Sequence, residues 1–241
     1  MIRFYAPDIA EIPVLPEVES GHAVRVLRHR EGDCVEVVDG KGNLYGCTIT
    51  DAHHKHTMLR VDSVRSLPKV WTPEITLAVA PTKNIDRMEW LVEKLVEIGV
   101  DRIVPLRCER SERRELKTER LEKIAVSAMK QSLKAVLPDI TPVTPLKAFL
   151  PEVKAECRAV AWCDAESERH LLASTYRPGS DIAILIGPEG DFTPEEVAMA
   201  LDAGFTPVTL GDNRLRTETA ALVAVDTVHI INQFVSNKTD I

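Results

Sequence analysis

Two glycine-marked turns near the C-terminus hold the residues of this 241-residue chain best placed for chemistry. The apolar run Ile182 to Pro188 enters Glu189-Gly190-Asp191, and Val208-Thr209-Leu210 enters Gly211. Glycine lets backbone amides and carbonyls approach a ligand closely, because no Cβ intervenes and positive φ is accessible. The carboxyl edge of a parallel sheet is where α/β proteins bind ligands, and two such turns can sit there side by side. The second turn continues as Asp212-Asn213-Arg214-Leu215-Arg216-Thr217-Glu218-Thr219-Ala220-Ala221, a polar loop feeding an apolar helix. The pattern reads as a small-molecule site made mostly of main chain.

The elements that must position these turns follow from periodicity. Beyond a linker at Ser66-Leu67-Pro68-Lys69-Val70-Trp71-Thr72-Pro73, strands are expected at Ile75 to Ala80, Arg102 to Leu106, Ala159 to Cys163, Ile182 to Ile186 and Thr206 to Leu210. Helices are expected at Asp86 to Ile98, Thr118 to Val136, Pro194 to Ala203 and Thr217 to Phe234. Such alternation predicts a mostly parallel sheet with helices on both faces, a domain over residues 73–241. Residues 1–68 have another texture. Short β-rich runs (Ile2 to Tyr5, Cys34 to Val38, Leu44 to Thr50, Met58 to Val64) alternate with turn signals such as Asp39-Gly40-Lys41-Gly42, the pattern of a small antiparallel barrel. One short helix is expected over Glu19 to Arg30, with Val24 and Leu27 inward and a cationic end.

The composition, 44% hydrophobic and 28% charged, is that of a globular protein with an ample aliphatic core. No apolar run approaches the roughly 20 residues that cross a bilayer, and the N-terminus lacks an apolar signal core, so a cytoplasmic protein is expected. Five cysteines (Cys34, Cys47, Cys108, Cys157, Cys163) never form CxxC, which argues for buried free thiols over disulfides or a zinc ribbon. His53, His54 and His56 invite a metal reading, but no carboxylate or cysteine stands at ligand spacing, so no metal is expected and the segment reads as a solvated turn. The net charge of −7 counts against a polyanionic partner, yet Arg102 to Lys134 carries ten basic residues against five glutamates. That stretch is either a solvated helix face with i,i+4 pairing, as Glu119 with Lys123, or a nucleic-acid surface. Arg25, Arg28 and Arg30 leave the same choice open.

GxxxxGK[ST] is absent, and no GxGxxG follows the first strand of the larger domain, which excludes the usual nucleoside triphosphate and dinucleotide sites. The late glycines also sit wrongly for a common Rossmann methyltransferase. Gly187-Pro188-Glu189-Gly190, Leu210-Gly211 and Leu215-Arg216-Thr217-Glu218-Thr219-Ala220 resemble the C-terminal signature of SPOUT-class RNA methyltransferases, and more narrowly the ribosomal RNA small subunit methyltransferase E (RsmE) family. His22 with Val26-Leu27-Arg28, Gly32-Asp33, Glu97-Ile98-Gly99-Val100, Arg110-Ser111 and Gln131-Ser132 fit in order, so the resemblance spans nearly the whole chain. It departs at Asp191, where the family usually has a second glycine, at Val96 to Val100, where a Thr-Glu-Leu-Gly-Val run is usual, and at Asp212-Asn213-Arg214, where a proline-arginine-isoleucine stretch is usual.

The resemblance implies an α/β-knot domain with a trefoil-knotted, mostly parallel sheet, preceded by a PUA-like RNA-binding β-barrel. It also implies a homodimer, bound S-adenosyl-L-methionine, and methylation of N3 of a uridine in small-subunit (16S) ribosomal RNA, with rRNA or the small ribosomal subunit as partner. Transfer to another RNA, such as a tRNA ribose hydroxyl, and a non-catalytic ribosome-assembly role are the competing readings. Cofactor binding would fall to Leu185, Ile186, Gly187, Pro188, Glu189, Gly190, Leu210, Gly211, Leu215, Arg216, Thr219 and Ala220. Uridine N3 carries a proton, so a base must remove it or cations must stabilise the negative charge on the neighbouring carbonyls. Arg216 is the candidate stabiliser, with Glu218 orienting it or serving as base and Glu189 the rival base. Arg25, Arg28, Arg110, Arg113, Gln131 and Lys134 are the candidate RNA contacts.

Overall fold

The computed structural model describes residues 2–162 and 170–236, which form two compact units. The smaller comprises Met1–Val70 together with Ala125–Leu137. Its sheet runs in the order β1 (Arg3–Tyr5), β2 (Cys34–Val38), β3 (Asn43–Asp51), β4 (Met58–Ser66). The β2–β3 and β3–β4 pairs are antiparallel as expected, whereas β1 pairs with β2 in parallel. A parallel pair needs a crossover, and the long segment holding α1 (Glu17–Gly21) and a turn of π-helix (His22–Val26) supplies it. The single helix expected over Glu19 to Arg30 is therefore two short pieces. Phe4, Ile9, Leu15, Val37, Tyr45 and Ile49 fill the core beneath the sheet.

The β2–β3 hairpin is built around Asp39, which is 4% exposed. Its Oδ1 accepts the amides of Lys41 and Asn43 at 2.8 and 3.1 Å, and its Oδ2 accepts Asn43 Nδ2 at 2.7 Å and the Tyr45 hydroxyl at 3.3 Å. Burial raises the Asp39 pKa, but these donors outweigh it and hold the carboxyl below the usual range.

The larger unit comprises Trp71–Ile124 and Pro138–Ile241. Its strands are β5 (Ile75–Val79), β6 (Arg102–Arg107), β7 (Asp139–Ile140), β8 (Thr144–Pro145), β9 (Cys157–Ala161), β10 (His170–Leu171), β11 (Ile182–Ile186) and β12 (Thr206–Thr209). They form one sheet in the order β10-β12-β9-β11-β5-β6-β7, with β8 also on β6, and every described pair is parallel. The helices are α2 (Ile85–Ile98), α3 (Thr118–Gln131, shared between the units), α4 (Leu146–Phe149), α5 (Leu172–Thr175), α6 (Pro194–Asp202) and α7 (Thr217–Ser236). Alternate sheet residues Ala78, Val104, Leu106, Val160, Ala183 and Leu185 face one core with Phe149, Phe192, Val197 and Phe205. On the other face α2 buries Met88, Leu91, Val92, Leu95 and Val96 and packs with α7. The third strand lies two residues earlier than expected, and Cys163 lies outside the described residues. Cys47 and Cys108 are buried, but Cys34 is exposed on the outer side of its strand and Cys157 is half-buried.

The helix α3 ends at Gln131 and does not reach Val136. Leu133 adopts φ 56°, after which the chain joins the small sheet: Val136 bridges Lys41, the Gly42 amide donates to Ala135 O at 2.9 Å, and Leu137 N–H donates to Gly40 O at 3.0 Å. Lys130 pairs with Glu19, and the Arg3 guanidinium donates to Leu133 O. A segment distant in sequence thus completes the small unit.

Two outcomes follow. A fragment of residues 1–68 melts below the same unit in the full chain by differential scanning calorimetry, because it lacks these pairings. Asp39→Ala destabilises by on the order of 3 kcal/mol in urea titrations at pH 7, since buried donors lose a charged acceptor. The Asp39 contribution is present above about pH 4, the unfolded carboxyl value, and is lost as pH falls through the lower folded value, so the variant and parent converge in acid.

Candidate active site

Strand register places both glycine turns at one edge of the sheet. Ile186 on β11 and Val208 on β12 both stand opposite Ala161 on β9, the strand between them. The three strands therefore end level, and a cleft of about 1190 Å³ opens beyond them. Of the residues expected at a cofactor, Ile186, Gly187, Pro188, Glu189, Gly190, Leu210, Gly211, Leu215, Arg216 and Ala220 line it. Leu185 points into the core and is fully buried, and Thr219 lies on α7 outside the lining. Arg87, Trp162, Asp212, Asn213, Arg214 and Thr217 line it too, unanticipated as contacts.

Each turn has its own local cause. A Cβ on Gly187 would lie 3.1 Å from the Phe192 ring, so glycine admits Phe192 to the core, where it is 1% exposed. Asp191 takes φ 60°, the left-handed conformation a family glycine would supply, and its Oδ1 accepts the Phe192 amide at 2.8 Å. Aspartate tolerates that region better than most residues through such local bonds. Gly211 has φ 114°, with Thr209 Oγ1 bonded to its carbonyl at 3.0 Å. The buried Thr217 hydroxyl donates to Gly187 O at 3.3 Å, which ties the start of α7 to the first turn.

Further staples come from the basic stretch. Arg110 donates to Gly190 O at 2.9 Å and Phe192 O at 3.4 Å. Arg113 donates to Thr82 O and Lys83 O at 3.1 and 2.7 Å, and the Lys83 amide in turn donates to Glu189 Oε1 at 3.0 Å. The buried Glu196 accepts the Glu109 amide at 2.8 Å and the Thr193 amide at 3.0 Å while closing the capping box of α6. Arg102 faces Asp139 and Glu152, and Arg120 pairs with Glu89. Of the expected RNA contacts, Arg110 and Arg113 thus hold loops of the large unit, while Arg25, Arg28, Gln131 and Lys134 all fall in the small unit.

Glu218 is 7% exposed, and its ion partner is Arg87 of α2, Nε to Oε1 3.7 Å, in place of Arg216. Its Oε2 is buried without a hydrogen bond. Arg216 is exposed and lines the cleft, as Arg87 does. Glu189 accepts an amide, the commoner fate of a carboxylate in a tight turn. Trp162 is signalled only by an aromatic residue directly after an apolar strand, and Arg87 by nothing beyond a cation in the first turn of α2.

The RNA methyltransferase domain family matches residues 70–229, and the RNA methyltransferase PUA domain family matches residues 15–59. The chain is 30% identical over 235 residues to the ribosomal RNA small subunit methyltransferase E of Mycobacterium bovis, covering 93% of this chain and 88% of that protein. A crystal structure described as a "probable rRNA-methyltransferase" from Porphyromonas gingivalis is 48% identical with a TM-score of 0.93, covering 98% of this chain and 100% of that one. The ribosomal RNA small subunit methyltransferase E of Neisseria gonorrhoeae, solved bound to S-adenosyl methionine, is 29% identical with a TM-score of 0.80, covering 96% and 98%.

The first turn gives a direct test of its backbone. Asp191→Val, a β-branched side chain in left-handed conformation, destabilises by about 1–2 kcal/mol, whereas Asp191→Gly stays within about 1 kcal/mol of the parent. Thermal or urea unfolding of the two variants checks the ordering.

Proposed function

The chain belongs to the RNA methyltransferase family that includes ribosomal RNA small subunit methyltransferase E, and from that membership we propose that it transfers a methyl group from S-adenosyl-L-methionine to N3 of a uridine in 16S ribosomal RNA. The cleft between the two level turns carries this reading. It is large enough for a drug-sized ligand with space beyond it, since such sites run to roughly 1,000 Å³. Its lining suits an adenosine: apolar Ile186, Leu210 and Leu215 for a flat neutral ring, and main chain at Gly187, Gly190 and Gly211 for polar edges. A Cβ on Gly211 would meet nothing within 4 Å, so the backbone there borders open space that a ligand can fill. When bound, S-adenosylmethionine supplies an already activated methyl on a sulfonium, which leaves the protein to align and to manage charge.

Of the three arginines that line the cleft, Arg87, Arg214 and Arg216, we assign to Arg216 and Arg87 the stabilisation of negative charge on the uracil carbonyls as N3 loses its proton. Glu218, buried behind Arg87, acts as a positioning residue that holds that guanidinium. In this reading the larger unit forms the catalytic domain, and the smaller unit, residues 1–70 with 125–137, forms the RNA-docking barrel. A cytoplasmic homodimer completes it; Ile230 and Phe234, 44% and 67% exposed on α7, give a second copy an apolar face to cover.

Calorimetric titration with S-adenosylmethionine is expected to show saturable binding, and radiolabelled methyl is expected in the 3-methyluridine fraction of digested 16S rRNA. Arg216→Ala lowers kcat on the order of 100-fold, the scale of losing one charge-stabilising donor. Absence of cofactor binding sinks the assignment; unchanged kcat in Arg216→Ala removes only that residue's role.

A further inference from the structure

The turn between β3 and β4 is more than a solvated connection. The rings of His53 and His56 stack with centroids 3.9 Å apart at 31°, and His53 and His54 lie 4.7 Å apart at 33°. Their backbone is fixed from inside. Thr57 is fully buried, its hydroxyl donates to His53 O at 3.0 Å, its amide donates to Ser20 Oγ at 2.9 Å, and Ser20 donates to Leu15 O at 2.8 Å. Charged groups face the stack from three places: Arg25 on the π turn, Lys55 within the turn, and Glu17 on α1. Of these three Glu17 is the negative one. Burial, followed by the charges of Arg25, His53 and Lys55, holds His54 below the ordinary imidazole value. His53 Nδ1 accepts the Lys55 amide at 3.3 Å, a bond the ring gives up on taking a second proton.

The cationic face continues along the chain. Ala52, the neighbour of His53, lines a hollow of about 600 Å³ with Arg28, His29, Arg30 and one carboxylate, Glu31. Asp33, outside that lining, is engaged by His29 Nδ1 at 3.1 Å and the Arg30 amide at 2.9 Å. Arg28 is held at φ 61° with its side chain exposed. A phosphate set between Arg25 and the imidazoles reverses the local field and favours the imidazolium form, so anion and proton bind together.

We propose that the His53–His56 turn and Arg25 form a docking surface for RNA phosphates that takes up protons as RNA binds, so that its grip strengthens as pH falls from 8 to 6. This rests on ribosomal RNA being the substrate. Arg28 and Arg30, exposed and lining the adjoining hollow, favour a polyanion over a single ion.

The test is anisotropy titration of the full-length protein with a labelled 16S rRNA fragment at pH 6 and pH 8 across a salt series. Binding is tighter at pH 6, and the slope of log affinity against log salt is steeper there by roughly 0.7 for each imidazolium on a phosphate. A triple variant carrying His53→Gln, His54→Gln and His56→Gln binds as the parent does at pH 8 and no longer tightens at pH 6. The single His54→Gln variant, which keeps the His53–His56 stack, loses part of the dependence and guards against misfolding of the triple one. A parent without pH dependence, a triple variant that keeps it, or equal weakening at both pH values overturns the proposal. S-adenosylmethionine titrations of the same samples separate the two failures: cofactor binding without a proton-linked RNA response defeats the surface alone, whereas no cofactor binding defeats the function.

Discussion

The level ending of three adjacent parallel strands is the constraint on which the candidate site depends. With strands roughly 4.8 Å apart, the ends of β11 and β12 lie two strand spacings apart, with β9 between them. Both following loops must then share one small volume, and neither needs a long side chain to reach it. The Thr217 hydroxyl on Gly187 O closes that volume from the α7 side. A slip of one residue in either pairing would turn Ile186 or Val208 to the opposite face and carry its loop away. The near-continuous aliphatic content of β11, buried at every position, fixes its depth in the sheet, and through it the position of the first turn.

Charge in this protein is arranged against the simple reading of its sequence. The basic run from Arg102 onward looks like a surface for phosphate, yet several of its guanidiniums are paired with carbonyls and carboxylates of their own unit. Arginine suits that use, because its fork donates several hydrogen bonds while its stem packs against neighbours. Arg110 and Arg113 tie the loops after β5, β6 and β11 to one another, so the rim of the cleft is braced by side chains that sequence alone assigns to RNA. Arg25, Arg28 and Arg30, also exposed, belong to the small unit, where the end of the basic run, Gln131 and Lys134, resides as well. Within the overall charge of −7, the smaller unit carries 11 basic against 10 acidic residues, so the acidic excess lies on the larger unit and leaves the smaller one compatible with a polyanion.

Much of this was legible in advance. The strand Ile182–Ile186 and the helix start at Pro194 follow from apolar runs and capping chemistry that act locally, and both stand where expected. What stayed hidden depends on partners distant in sequence. The early end of α3 comes from Val136 pairing with Lys41, the parallel β1 from a crossover, and the pairing of Glu218 with Arg87 from two helices that meet only in the fold. Leu185 and Ile186 show the same limit in small compass. Adjacent residues on a strand face opposite ways, and the sequence does not say which face opens to the cleft at its last residue.

A site built from backbone has consequences for how it tolerates change. Side-chain replacement at Leu210 or Leu215 alters an apolar wall and is absorbed by a similar residue, because volume and polarity are all that it supplies. Replacement at Gly211 acts differently. Its φ of 114° strains any other residue, and the added Cβ projects into the cleft instead of against a neighbouring wall. Asp191 marks the boundary of that rule. It occupies a left-handed position without being glycine, because its own carboxylate satisfies the next amide and because Gly187, not residue 191, makes the space for Phe192. The first turn therefore depends on one glycine for packing and on conformation alone at the position where the family usually places another.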